Sequence, residues 1–227
     1  MRKMLLAVVC VGSGAFMMLL FGAVVLYQTL PPYLEPVVSK GTNFPLTVPD
    51  TPLAVLQVTQ YTGPFLEKAG SQETVTAAAL LVENVGGLYV AQGAVILELS
   101  GRQLVFELRD LPPGGKALIL EKDAQPYIRE TVWSCYGWAR EEYPECFDWV
   151  TFEHLPQGLA VTNVTEATLP LLQLTYKRRT GQSNTFSGGI SFQTTLQDLK
   201  PGETRLLKLP HYTQNGVAVV RTMVIVD

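Results

Sequence analysis

The chain has 227 residues, and its 17 Lys and Arg against 20 Asp and Glu give a net charge of −3 at pH 7. A balance this mildly acidic provides no basic footprint for a polyanion, so nucleic acid is not an expected partner. With 47% hydrophobic and 16% charged residues, the chain is able to bury one large core or two small ones.

An uncharged apolar run from Met4 to Tyr27 follows a short basic start at residues 1–3. At about 1.5 Å per residue, a helix of this length crosses the roughly 30 Å hydrocarbon core of a membrane. We therefore predict a transmembrane helix at 4–27, with residues 1–3 cytoplasmic and the bulk of the chain outside the cell membrane. The alternative is a cleaved signal peptide, whose apolar core is usually only about 7 to 15 residues long.

Residues 28–50 are predicted to form an extended stalk, because closely spaced prolines favour a stiff, extended backbone. The prolines are Pro31, Pro32, Pro36, Pro45 and Pro49. Strand-like sequence resumes near Thr51, where a first module over 51–128 is predicted to begin.

Both halves of the remaining chain show a hydrophobic period of two, which is typical of strands. In the first half the runs Val95–Leu99, Leu104–Leu108 and Ala117–Glu121 are separated by turn residues. The second half, 150–227, contains five such runs: 158–164, 171–176, 190–196, 205–209 and 217–226. Short strands joined by tight turns predict an all-β chain of two tandem Ig-like antiparallel β-sandwich modules after the transmembrane helix.

The two modules also repeat one another in sequence. Leu81–Val85 corresponds to Ala160–Val164, and Leu108–Gly114 corresponds, in the same order, to Leu196–Gly202. The second copy has nine more residues between these landmarks, and we assign them to a lengthened polar loop at 177–189. Two matches in register favour a duplicated module over coincidence.

The landmark residues have structural explanations. Asp110 and Asp198 are expected to accept hydrogen bonds from backbone donors in the turns that end at Gly114 and Gly202. Asn84 and Asn163 are interpreted as strand-end residues rather than ligands. Asn163 also begins an Asn-Val-Thr glycosylation acceptor, which matters only in a eukaryotic secretory pathway.

An Asn that closes a strand, a following strand of alternating apolar residues and a Leu-x-Pro-Gly turn occur in both copies, with the turns at 111–114 and 199–202. This combination resembles the small Ig-like modules of bacterial surface proteins, including those called FxLYD domains. The resemblance implies an exported, non-catalytic module that serves as a spacer or binding unit.

A junction at 129–149 contains all three tryptophans of the chain together with Cys135 and Cys146. In an oxidising compartment the two cysteines are predicted to form a disulfide, which would stabilise the fold by about 2 to 3 kcal/mol. Cys10 lies in the predicted membrane helix and does not compete for this pairing.

Aromatic residues on such a loop are candidate partner-binding residues, because large rigid rings suit a protein partner or the apolar face of a glycan. The candidates are Trp133, Tyr136, Trp138, Tyr143 and Trp149. The alternative is that these rings are packed and simply close the junction between two small domains. The acidic residues 141, 142, 145 and 148 lack the spacing of a calcium loop, so no metal site is predicted.

We expect no catalytic residues and no cofactor. His154 and His211 lie outside any metal-binding or nucleophile motif, and no glycine-rich segment opens a helix that would hold phosphate. A thiol enzyme would require Cys135 to stay reduced outside the cell and to pair with His154. The sequence therefore favours a membrane-anchored binding or spacer protein over an enzyme.

The functional hypothesis is a single-pass extracytoplasmic protein whose modules recognise an envelope protein or a glycan at the cell surface. The alternative is a structural subunit of a cell-envelope or secretion complex, assembled partly through its transmembrane helix. Gly12, Gly14 and Ala15 are small residues that would let partner helices approach closely.

Overall fold

A computed structural model describes residues 35–36, 46–69, 71, 73–127, 132–143, 148–180, 185–210 and 212–225. Across these ranges the chain is all-β and contains no helix, and accordingly none that is able to cross a membrane. The predicted transmembrane helix at 4–27 and most of the predicted stalk lie outside the described residues. All-β architecture is what the period of two in the sequence predicts.

The described strands, numbered in chain order, are β1 (Glu35–Pro36), β2 (Leu46–Thr47), β3 (Leu53–Pro64), β4 (Thr74–Asn84), β5 (Tyr89–Leu99), β6 (Arg102–Leu111), β7 (Lys116–Leu120), β8 (Ser134–Glu142), β9 (Val150–Leu155), β10 (Gly158–Asn163), β11 (Leu169–Arg178), β12 (Thr185–Ser187), β13 (Phe192–Leu199), β14 (Thr204–Leu207) and β15 (Val217–Ile225). We call β3–β8 the first repeat and β9–β15 the second repeat. Within the described residues, each strand run predicted from the sequence overlaps a strand of this list.

The two repeats have the same strand order. In the first repeat β3-β4-β7 and β6-β5-β8 form two three-stranded antiparallel arrays, and in the second repeat β9-β10-β14 and β13-β11-β15 do the same. The registers also correspond, because Val90 lies opposite Leu111 as Leu169 lies opposite Leu199. The short strands β1 and β2 extend the first array by pairing with β3. The sequence duplication therefore has a counterpart in topology and register.

A buried asparagine closes the first repeat. Asn84 ends β4, and its side-chain amide donates hydrogen bonds to the carbonyl oxygens of Leu88 (2.9 Å) and Leu111 (3.0 Å). Its side-chain oxygen accepts a bond from the backbone N–H of Gly86 (3.0 Å). Because every polar atom of this side chain has a partner, its burial is tolerated, and it ties the start of β5 to the end of β6.

Asn163 does the same in the second repeat. Its amide donates to the carbonyl oxygens of Ala167 (2.8 Å) and Leu199 (2.9 Å), and its oxygen accepts from the N–H of Thr165 (2.9 Å). The residue is fully buried. The structural interpretation of both asparagines is confirmed, and in the folded protein the Asn163 amide nitrogen is not exposed for glycosylation.

Each repeat has its own cluster of buried apolar side chains. The second core lies between β9-β10-β14 and β13-β11-β15 and contains only residues of the second repeat. The first core, by contrast, is completed by Phe186, Ala218 and Val220 from the second repeat. Consistent with this sharing, Glu35–Asp227 forms one compact unit.

Candidate binding surface and repeat interface

Two of the candidate aromatic residues, Tyr136 and Trp138, lie on β8, which is the last strand of the first repeat and pairs with β5, and Trp133 and Tyr143 flank this strand. Side chains alternate across a strand. Cys135 and Ala139 contact the first core, whereas Tyr136 and Trp138 point to solvent. Among the described residues of the predicted junction, 134–142 thus form a sheet strand, and Val132, Cys135 and Ala139 contact the first core.

Four of the five candidate rings are exposed. Trp133 is 74%, Tyr136 38%, Trp138 51% and Tyr143 80% accessible to solvent. We call these four residues the aromatic surface. Indole and phenol rings in water are unfavourable unless a partner covers them, so exposed rings on β8 and at its two ends are candidate contacts for a partner.

Trp149 is placed differently from the other four rings. It is half-buried and packs against the second core, and its carbonyl oxygen accepts a hydrogen bond from the N–H of Val164 (2.9 Å). Packing of this ring matches the alternative in which an aromatic residue closes the junction. Trp149 is therefore not part of the aromatic surface.

A groove of about 460 Å³ lies at one end of the aromatic surface, between Trp133 and the tight turn that joins β5 to β6. Glu98 forms its rim and accepts a hydrogen bond from the hydroxyl of Ser134 (2.7 Å). The hydroxyl of Tyr136 accepts a bond from the amide of Gln103 (2.9 Å), which restricts the ring. Polar groups beside exposed rings supply the hydrogen bonds that give a binding surface its specificity.

β15 is the strand of the second repeat that corresponds to β8, and the residues at matching positions of the two strands differ. Trp138 lies opposite Ala94 of β5, and Met223 lies opposite Gln173 at the matching position of β11. β15 contains no Trp or Tyr, and Ala218 and two of its valines are buried. At the matching positions β15 has Met223 and Arg221 in place of Trp138 and Tyr136, so the aromatic rings of β8 are a feature of the first repeat alone.

Cys135 is half-buried, and among the described residues it is not in a disulfide. Burial raises the pKa of its thiol to about 11. Since the thiolate is the reactive form, this environment suppresses nucleophilic chemistry. Cys146 lies outside the described residues, so the Cys135–Cys146 disulfide stays a prediction.

His154 lies on β9, where its ring stacks on that of Tyr212 with 6.2 Å between centroids. Burial and the nearby charge of Arg179 lower the pKa of this imidazole, which favours the neutral form. His211 lies outside the described residues. Among those described, no group of three or more His, Cys, Asp or Glu is arranged to hold a metal ion.

A second region of interest, which sequence reasoning missed, is the interface between the repeats. The stretch 177–189 was predicted to be a lengthened loop, but Lys177 and Arg178 belong to β11 and Thr185–Ser187 forms β12. β12 pairs in parallel with β7 of the first repeat. We call the connection between β11 and β13, residues 179–191, the insert. Its strand β12 docks on the first copy, and its polar composition does not prevent this backbone pairing with a sheet edge.

Lys177 is fully buried at this interface. Its ammonium group donates hydrogen bonds to the carbonyl oxygens of Arg109 (2.8 Å), Gly189 (3.1 Å) and Ile190 (2.9 Å). These three acceptors use all three of its protons. Burial lowers its pKa to about 8, although the charges of Asp110 and Glu67 act in the opposite direction.

Asp110 also acts across the interface rather than within its own turn. Its backbone is in the left-handed region, with φ of 52°, as is that of Asp198 with φ of 51°. Its carboxylate accepts hydrogen bonds from the hydroxyls of Tyr89 (2.7 Å) and Ser191. The expectation that Asp110 accepts hydrogen bonds from backbone amides of its own turn is therefore wrong. Its carboxylate instead accepts from the hydroxyls of two residues that are distant in the sequence.

A cavity of about 400 Å³ opens beside this cluster. Its walls come from both repeats and mix charged with apolar groups. They include Phe65, Glu67, Glu107, Arg109, Lys122 and Ser191. Glu67 therefore lines this cavity, and its carboxylate lies at the interface between the two repeats.

No protein family, curated protein or solved structure matches this chain. What the chain does must therefore be inferred from its own surfaces. Of these, the aromatic surface exposes large apolar rings to water, and the corresponding strand of the second repeat has no Trp or Tyr.

Proposed function

We propose that the chain is a single-pass, N-terminally anchored extracytoplasmic protein whose two repeats are Ig-like β-sandwich modules, and that it binds a protein or glycan at the cell surface through the aromatic surface. Two antiparallel three-stranded arrays in each repeat support the sandwich assignment, since such arrays bury alternate residues when packed face to face. The apolar run at 4–27 supports the anchor.

The observation that carries the binding proposal is the contrast between β8 and β15. Both strands flank the same central strand of their repeat, yet only β8 presents Trp and Tyr rings to solvent. Exposed rings that the corresponding strand lacks are retained most simply for contact with a partner. The groove beside Trp133 extends this contact area.

Two features support binding without catalysis. The thiol of Cys135 has a pKa raised to about 11 by burial, and the three protons of Lys177 are taken by carbonyl oxygens. Neither group is therefore free to act as a nucleophile at neutral pH.

The binding proposal is tested by substituting matched positions of the two repeats. Trp138→Ala removes an exposed ring of β8, and Met223→Ala removes its counterpart on β15. Binding of cellulose-, chitin- and mannan-type polysaccharides to the full chain is followed by tryptophan fluorescence. We expect a spectral shift that Trp138→Ala abolishes and Met223→Ala preserves.

A protein partner is distinguished by placing a photoreactive amino acid at position 138 or 223 in intact cells. A discrete cross-linked species from position 138 alone identifies a protein partner of the aromatic surface. If no polysaccharide shifts the fluorescence and position 138 gives no discrete cross-link, the binding proposal is wrong.

The anchor and orientation are tested separately with a membrane-impermeant amine reagent on intact cells. Exposed lysines after the predicted stalk, such as Lys68, Lys122 and Lys200, should react, whereas Lys3 should react only after lysis. Removal of residues 1–30 should release a folded product from the membrane fraction. Protection of the later lysines in intact cells would overturn the extracytoplasmic assignment.

A further inference from the structure

The outer strands of the first repeat differ in whether another part of the chain covers their free edge. β1 and β2 pair with the free edge of β3, and β12 pairs with that of β7. On the free edge of β6, the N–H of Arg109 donates to the carbonyl oxygen of Gly189 (2.8 Å), and the N–H of Lys122 donates to that of Val105 (3.0 Å). Among the described residues, β8 pairs with β5 alone, so its other edge is open.

An open strand edge presents backbone N–H and C=O groups that are able to pair with a further strand. Proteins usually protect such an edge by making it short or by placing charges along it. β8 has nine residues, and its charges lie together at its end, in 140–142. Its centre has the exposed rings of Tyr136 and Trp138 instead. The centre of β8 is therefore suited to the addition of a strand.

We propose that the added strand is β8 of a second copy of this chain, paired antiparallel about a two-fold axis at Trp138. The pairing joins two three-stranded β6-β5-β8 arrays into one continuous sheet. A two-fold axis is the commonest symmetry of protein dimers, and it brings the same edge of both copies together. This inference rests on the proposed function, because it names a second copy as the protein partner of the aromatic surface.

The length of β8 selects the register. Trp138 is the middle residue of Ser134–Glu142, so only an axis at Trp138 pairs all nine residues of the strand with its copy. Trp138 then lies opposite Trp138 of the second copy, and Tyr136 lies opposite Arg140. Side chains of directly opposite residues lie side by side on one face of the sheet, and a guanidinium group beside an aromatic ring is a favourable contact.

The charges of β8 agree with this register. Glu141 and Glu142 lie opposite Cys135 and Ser134 of the second copy, so no two like charges are directly opposite one another. An axis at Arg140 or Glu141 would instead place identical charges opposite each other, which destabilises a strand pair. Charge therefore favours the same axis as strand length.

The two rings that flank β8 extend the contact. Trp133 precedes the strand and Tyr143 follows it, and continuation of the register places each opposite the other residue of the second copy. These are the most exposed rings of the aromatic surface, at 74% and 80%. All four rings of the aromatic surface thus lie along the contact, and each copy completes the surface of the other.

The pairing is tested by co-expressing two differently tagged forms of the full chain and measuring their co-purification in detergent. Trp138→Lys in both copies, or Trp138→Glu in both, places like charges opposite each other at the axis. We expect either to reduce co-purification at least about tenfold. A Trp138→Lys copy expressed with a Trp138→Glu copy should recover it, because opposite charges then meet.

Met223→Lys and Met223→Glu on β15 are the matched controls and should leave co-purification unchanged. Failure of unaltered copies to co-purify, or no recovery in the mixed pair when both variants are folded, would overturn the inference. Equal co-purification of every pair would place the contact elsewhere, for example in the predicted helix at 4–27, and would overturn it as well. If copies do not associate while a polysaccharide still shifts the tryptophan fluorescence, the second copy is rejected and the proposed function stands.

A second measurement covers the case in which the Trp138 variants fail to fold. A photoreactive amino acid is placed at position 136, and isotope-labelled and unlabelled copies are co-purified so that cross-links between copies are recognised by mass. We expect them to map to 138–142 of the second copy. Cross-links between copies that map outside β8, or a cross-link to a different protein only, would overturn the inference.

Discussion

The two repeats share a strand order and a buried asparagine, but they differ at the connection between the third and fourth strands. In the first repeat β5 and β6 are joined by the two-residue turn Ser100–Gly101, with Gly101 at a φ of 86°. In the second repeat the same connection opens into the insert that contains β12. A tight turn suffices for the fold, so the insert serves the contact between the repeats.

The last strands of the two repeats, β8 and β15, also differ in what their side chains contact. β15 contributes Ala218 and Val220 to the first core, whereas β8 presents exposed rings. Arg221 of β15 also donates to the carboxylate of Glu142 at the end of β8 (3.0 Å). Features present in both repeats thus identify what the fold requires, and features present in one repeat identify assembly and binding.

The largest expected effect comes from the insert, which has no counterpart in the first repeat. Lys177→Met removes three hydrogen bonds to carbonyl oxygens, of which that of Gly189 also accepts from the N–H of Arg109, and it removes the positive charge near Glu67 and Asp110. We expect a loss of about 4 kcal/mol in unfolding free energy, measured by urea denaturation. Arg178→Met is the control, because this neighbour is only half-buried, and it should lose much less. Equal losses of unfolding free energy in the two variants would show that the buried ammonium group of Lys177 contributes no more to stability than the half-buried Arg178.

The shared asparagines should give the next largest effect, and the two should be similar. Asn84→Ala removes three side-chain hydrogen bonds and Asn163→Ala removes four, so each should lose about 2 to 3 kcal/mol. Thermal unfolding measures this loss. If one substitution proved harmless, the equivalence of the two repeats would not extend to their energetics.

Gly189→Ala tests how closely the insert approaches the first repeat. The added methyl would clash with the carbonyl oxygen of Glu107 and lie 2.9 Å from the side chain of Ile119, so we expect a loss of about 1 to 3 kcal/mol in thermal unfolding. Gly87→Ala is the control, since its Cβ would meet nothing within 4 Å. A Gly189→Ala protein as stable as the control would contradict the close approach.

The smallest effect on stability is expected at the aromatic surface. Trp138 is half exposed, so Trp138→Ala should change the unfolding free energy by no more than about 1 kcal/mol. Thermal unfolding compares it with Met223→Ala on β15. A much larger loss for Trp138→Ala would mean that the ring supports the fold, and the contrast between the two last strands would then be structural rather than functional.

The strands and the duplication were predictable because they depend on local pattern. Alternation in Val95–Leu99 and Leu104–Leu108 reports one buried face of a strand, and Pro201-Gly202 predicts a turn through backbone preference alone. The candidate partner-binding rings could also be identified from the sequence, but which of these rings are exposed to solvent could not. Trp149 and Trp138 belong to the same stretch of sequence, yet one packs on a core and the other faces solvent.

Lys177 was misinterpreted because its partners are distant in the chain. A basic residue beside Arg178 and Arg179 is typical of a solvated loop, whereas its burial depends on carbonyl oxygens of Arg109 and Ile190. One signal was present in the sequence, since Phe186 is an isolated large apolar residue followed by two glycines. That pattern is compatible with an anchored segment that makes a close backbone approach.

The sequence by itself determined the all-β class, the strand positions and the internal repeat, because side-chain periodicity and turn chemistry are local. Only the tertiary structure decided that the insert of the second copy docks on the first, that Glu67, Asp110 and Lys177 meet there, and which rings stay exposed. The docking depends on contacts between residues far apart in the chain, such as Arg109 with Lys177 and Glu67 with Gly189. The physical reason is that burial of a charge is set by the partners that folding assembles around it.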